Sequence, residues 1–130
     1  MARGSGQARS IGAKAEASAR RKYGLETENT RAYDLVHPAN GMKYSVKACR
    51  TETNAGRPGR FRIWRESHEN FLEYRGTYIF AVHAPESGRI WKIEKVSQRE
   101  VDDLVGGAWY DSGHAHKGEQ YKLEWRSVLG

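Results

Sequence analysis

The sequence predicts an α/β fold, and three observations carry that prediction. Residues 33–50 read as two short strands joined at Asn40-Gly41, a pair of residues that both tolerate positive φ. Residues 77–84 are almost all apolar or β-branched, as in a central strand buried on both faces. Residues 10–23 and 61–75 carry apolar positions at helical spacing on either side of the hairpin.

In order, residues 1–10 are rich in Gly, Ser and Arg and read as a flexible basic arm, with one domain over residues 11–130. A helix opens at Ser10 or Gly12 and runs to Tyr23, with Ile11, Ala15 and Ala19 as its buried stripe and Gly24 as its stop. Glu16 lies beside that stripe, either as the i, i+4 partner of Arg20 or as a carboxylate turned toward a site. Residues 25–31 form a loop or an edge strand. In the second arm of the hairpin, Tyr44, Val46 and Ala48 point one way, and Lys43, Ser45 and Lys47 the other. Asp34 on the first arm falls near Lys47.

Residues 51–59 are turn formers, read either as a solvated loop or as a clamp on a phosphate backbone. The second helix, over residues 61–75, turns Ile63, Trp64, Phe71 and Leu72 inward, with His68 a satisfied, partly buried histidine and Gly76 the stop. A turn at residues 85–88 leads into an alternating strand over residues 89–96. Ser97 caps a short helix, with Glu100 completing a capping box. The tail is loop until a last strand at residues 121–126. His114 and His116 sit among turn formers and read as solvated rather than as a metal pair.

Composition excludes several classes. Cys49 is the sole cysteine, so no intramolecular disulfide or cysteine-based zinc site can form, which suits a reducing cytoplasm. No apolar run approaches the ~20 residues of a membrane span, and no signal peptide or glycine-rich phosphate loop is evident. The net charge of +6 is concentrated. Residues 43–65 hold seven basic side chains against Glu52 alone, while residues 66–130 hold eight basic against eleven acidic. Such a local field attracts polyanions, and nucleic acid is the favoured partner over a merely soluble basic surface.

The order helix, hairpin, helix, strand, strand, helix, strand, with Gly12 and Glu16 on the first helix, Asp34 on a strand and Ser45-Val46-Lys47 on the next, resembles the PD-(D/E)xK nuclease superfamily. Within it, residues 10–85 are most similar to the small archaeal Holliday-junction resolvases. The resemblance implies a restriction-endonuclease-like mixed central sheet flanked by helices. It also implies a Mg²⁺-dependent DNA endonuclease, with Mn²⁺ able to substitute, acting on junctions or other DNA structures, and a homodimer; Trp109, read as an exposed aromatic, is a candidate for its interface.

The departure from the family pattern is Ser45, where a second metal-binding acid is expected. A hydroxyl is a poor Mg²⁺ ligand. Either the site is dead and the protein binds DNA without cutting it, or the acid has moved. Some type II restriction enzymes resemble this chain in carrying Ser-x-Lys and supplying the carboxylate from the following helix. Glu66 is the first choice here, ahead of Glu69 and Glu73, with Glu52 a further candidate. The expected catalytic set is then Glu16, Asp34, Ser45, Lys47 and Glu66, with Asp34 and the relocated acid on the metal. Arg20, Arg21, Lys22, Arg57, Arg60 and Arg62 are expected on DNA phosphates.

Overall fold

The computed structural model describes residues 3–113 and 118–130; His114 and His116 lie outside the described residues. Helix α1 (Arg3–Tyr23) begins earlier than expected, in a stretch whose glycines lower helix propensity. It is followed by strands β1 (Glu26–Thr27), β2 (Leu35–Val36), β3 (Lys43–Arg50) and β4 (Arg60–Trp64), and by helix α2 (Arg65–Leu72). Strands β5 (Thr77–His83) and β6 (Ile90–Ser97), helix α3 (Gln98–Val105), strands β7 (Tyr110–Asp111) and β8 (Glu119–Glu124), and helix α4 (Trp125–Leu129) complete the chain.

The central sheet has the order β1-β2-β3-β5-β6. It is mixed: β3 and β5 are parallel, and the other neighbours are antiparallel. Parallel neighbours need a long crossover, and here β4 and α2 supply it. As the continuous apolar run predicts, β5 is buried on both faces from Tyr78 to His83. On one face, Ala19 of α1 and Leu25 pack with Leu35, Tyr44 and Ile79. On the other, Tyr78, Phe80 and Val82 meet Phe61, Ile63, Phe71, Val101 and Leu123.

Besides the earlier start of α1, the last strand gives way to helix α4 at Trp125, and two further segments depart from the sequence reading. Residues 60–64 are not the first turn of a helix but a strand of a second sheet, ordered β4-β8-β7. Phe61 and Ile63 are buried while Arg60 and Arg62 are exposed, which is strand alternation. The Phe61 ring stacks on Phe80 at 4.4 Å, clamping this small sheet to the large one. The hairpin loop also differs. Only Gly41 takes positive φ; Asn40 instead accepts a 2.8 Å hydrogen bond from the Met42 amide, and His37 N–H to Met42 O closes a longer loop. The cap at Ser97 is as expected, its hydroxyl accepting from Glu100 N–H at 3.1 Å.

Trp109, expected to be exposed, is half-buried with its ring 5.7 Å from His68. The exposed tryptophan is Trp91, on β6 at the edge of the central sheet.

Candidate active site

β2 is only two residues long, so β3 beyond Tyr44 has no strand partner on that side. Asp34, the residue before β2, sits beside that stretch. Its backbone N–H donates to Tyr44 O at 2.9 Å, and its carboxylate accepts from Val46 N–H at 2.8 Å. The acid is thereby pinned between Ser45 and Lys47, both of which face the second sheet as the alternation of β3 requires. Asp34, Ser45 and Lys47 line one cavity of about 60 Å³ with Ser67, His68 and Tyr78.

The electrostatics single out Lys47 in the cavity and Glu16 on α1, which is not one of the cavity's lining residues. Lys47 is desolvated, which pushes its ammonium pKa down, while the Asp34 carboxylate works in the opposite direction. Glu16 on α1 has its pKa raised, first by burial and then by the Asp34 charge, with Arg20 opposing. Glu16 is therefore coupled to Asp34, and among the described residues no ion pair joins it to Arg20. A carboxylate whose ionisation burial and the Asp34 charge disfavour, and a lysine that burial makes easier to deprotonate, are costly in a core and usable at a reaction site.

The expected relocated acids lie elsewhere. Glu66 is exposed in the first turn of α2, and the neighbouring Ser67 lines the cavity in its place. Glu52 is exposed and paired in a bridge with Pro58. Glu69 is engaged by Arg65 at 3.3 Å. Among the described residues, no group of three or more His, Cys, Asp and Glu side chains is arranged to hold a metal ion. Of the expected phosphate-binding residues, Arg20, Arg21, Arg57, Arg60 and Arg62 are exposed, whereas the ammonium of Lys22 donates to Ile93 O at 2.9 Å.

The sequence reading foresaw a satisfied histidine but not its partners. His68 is 1 % exposed, with Nδ1 2.7 Å from the Tyr78 hydroxyl and Nε2 3.0 Å from Asp102 Oδ1. The ring is thus held between the Asp102 carboxylate, which accepts from Nε2–H, and the Tyr78 hydroxyl at Nδ1. Tyr78 is the register partner of Ser45 across the parallel β3–β5 pair, so this network forms one wall of the cavity.

The family model described as a PD-(D/E)XK nuclease superfamily domain matches residues 2–130. The chain belongs to the PD-(D/E)XK nuclease superfamily. Its mixed five-stranded sheet with flanking helices is the restriction-endonuclease-like fold of that superfamily. No curated protein matches the chain. Superfamily membership supports nuclease activity, with nucleic acid as its substrate. No helix among the described residues is long and apolar enough to cross a membrane.

Proposed function

We propose that this protein is a divalent-metal-dependent endodeoxyribonuclease directed at DNA structure, with a Holliday junction the first substrate to test. The single observation that carries the reading is the cavity in which Asp34 and Lys47 meet, with Glu16 coupled to Asp34 from the other side.

Mg²⁺ is commonly held by one or two carboxylates together with waters and substrate phosphate. Asp34 and Glu16 fit that donor set and would hold the ion, with Mn²⁺ as a substitute. Their mutual repulsion gives the pair a reason to bind a cation. When bound, a divalent ion polarises the scissile phosphate and acidifies a water. Lys47, at the cavity wall, orients the attacking water by hydrogen bonding and offsets the charge that develops on the phosphate oxygens. Ser45 contributes a hydroxyl rather than a charge. The basic residues Arg20, Arg21, Arg57, Arg60 and Arg62 hold the substrate by its phosphates, which positions DNA without reading its sequence. Cutting two strands of a junction calls for two active sites, hence a homodimer.

The second reading is a DNA-binding protein that has lost cleavage, and Ser45 in place of an acid favours it. One experiment separates the two. A four-way junction and a matched linear duplex are incubated with and without Mg²⁺, using wild type, Asp34→Ala and Lys47→Ala. Metal-dependent cutting that disappears in both variants supports the nuclease. Salt-sensitive binding without cutting under any divalent metal leaves the binding protein.

A further inference from the structure

The outward face of the small sheet carries a charge arrangement that its own fold does not compensate. In the antiparallel β4–β8 pair, Arg62 stands directly opposite Lys122, and Arg60 stands opposite Glu124. Like charges directly across a strand pair destabilise a sheet. Desolvation, and then the charges of Arg60 and Arg62, make the Lys122 ammonium easier to deprotonate. Among the described residues, none of these three cations makes an ion pair, even though Glu124 shares their face. Arg65, just beyond the end of β4, shows the contrast: Glu69 and Glu119 both engage it, at 3.3 and 2.7 Å.

We propose that Arg60, Arg62 and Lys122 on the β4–β8 face form a binding site for the sugar-phosphate backbone of duplex DNA, leading into the Asp34–Lys47 cavity. Same-face residues on a strand are about 7 Å apart and neighbouring strands about 5 Å apart, so the three cations spring from a compact triangle of backbone positions. The Arg62 guanidinium lies over the Trp64 ring at 5.3 Å, which holds it in place. Trp64, the next residue of β4 on this face, is also a wall of the cavity. A backbone that neutralises the triangle is thus delivered to the cavity mouth, and the repulsion that burdens the free protein is relieved on binding. Lys122 is the new member of this set; nothing in its local sequence marks it, because it acquires its neighbours only through pairing with β4.

This inference rests on the DNA reading above but not on cleavage, so the test is binding in metal-free buffer. Anisotropy titrations of a labelled duplex are run across a salt series for wild type, Arg60→Gln, Arg62→Gln, Lys122→Thr and, as a control, Arg99→Gln on α3. Removing one phosphate-neutralising cation lowers the steepness of log Kobs against log[salt] by about 0.9. Each of the three triangle variants is expected to show that reduction, with affinity falling several-fold at low salt, while Arg99→Gln keeps the wild-type slope. Melting of the free protein is recorded in parallel, and Lys122→Thr is expected to melt no lower than wild type because a like-charge pair is gone. Wild-type slopes in Arg60→Gln, Arg62→Gln and Lys122→Thr, with wild type itself binding, overturn the inference and leave the nuclease reading standing. Failure of wild type to bind DNA overturns both.

Discussion

The Asp34 carboxylate accepts a 2.8 Å hydrogen bond from the backbone amide of Val46, the residue between Ser45 and Lys47. One side chain thus serves as both an anchor for β3 and an acid at the cavity. The two roles separate on substitution. Asp34→Ala leaves the partly buried Val46 amide unpaired and is expected to cost about 1–3 kcal/mol in urea unfolding. Asp34→Asn keeps an acceptor oxygen and is expected to stay within about 1 kcal/mol of wild type. Both variants are expected to lose at least ~10²-fold in single-turnover cleavage. Cleavage by Asp34→Asn at the wild-type rate would remove the acid from the mechanism.

Lys47 and Glu16 each hold a charge at a cost, and their pH signatures have opposite signs. Lys47 has a folded pKa below its ordinary 10.5. Between the folded and unfolded values the unfolded chain binds more protons, so this group makes stability rise with pH. Glu16 has a folded pKa above its ordinary 4.5. In its window the folded state binds more protons, so stability falls as pH rises through it. Thermal melts at pH 7 are therefore expected to rise for both Lys47→Met and Glu16→Gln, while cleavage by Lys47→Met falls by ~10²–10⁴-fold. Lower melting temperatures in both would contradict the desolvation on which this argument rests.

Much of the hairpin, the central strand and half of the site was legible in the sequence because their signals are local. The alternation of Tyr44, Val46 and Ala48 against Ser45 and Lys47 fixes which side chains face the cavity, and the apolar run of β5 fixes the sheet's centre. β4 was not legible as a strand, because its partner β8 lies far along the chain and Phe61 and Ile63 also fit a helical stripe. That ambiguity had a consequence at the site. Starting the helix at residue 61 puts Glu66 in its second turn on the inner flank, whereas α2 begins at Arg65 and leaves Glu66 exposed in the first turn. Asp102 as a partner of His68 could not be inferred either, since α3 and α2 meet only in the folded chain.

The carboxylate that accompanies Asp34 can be identified by comparison. Glu16→Ala is expected to lower the cleavage rate at least ~10²-fold, whereas Glu66→Ala and Glu52→Ala stay within about threefold of wild type. A raised Mg²⁺ requirement in Glu16→Ala, read from the metal dependence of the rate, places the defect in ion holding. The reverse pattern, with Glu66→Ala inactive and Glu16→Ala active, would restore the acid that the sequence pattern favoured.

Tyr78, His68 and Asp102 should behave as a unit. Tyr78→Phe deprives the buried His68 Nδ1 of its hydrogen bond and is expected to cost about 1–3 kcal/mol. His68→Ala adds a cavity beneath Trp109 and is expected to cost more. In a double-mutant cycle the two losses should fall short of additivity by more than about 0.5 kcal/mol, because the first substitution already breaks the shared bond. Additive losses measured by urea unfolding would mean that the hydrogen bond contributes nothing beyond packing.

Gly59 marks a very close approach between the start of β4 and the end of β3. It sits where the chain leaves the 51–58 loop and enters β4, and a Cβ there would overlap the carbonyl of Arg50. The obstruction is backbone on backbone: Gly59 N–H donates to Thr51 O at 3.2 Å, and its carbonyl accepts from Trp125 N–H at 3.1 Å. Neither strand can retreat without breaking these two hydrogen bonds at the start of β4. Gly59→Ala is therefore expected to exceed about 4 kcal/mol of destabilisation, enough to leave little folded protein. Gly56→Ala is the matched control. Gly56 has φ +78° but lies on the exposed loop tip, with only the Glu52 side chain within reach, so its cost should be near ~1 kcal/mol. Soluble yield and urea midpoints of the two variants measure the difference, and a folded, active Gly59→Ala would show that the two sheets can separate at this point without losing the site.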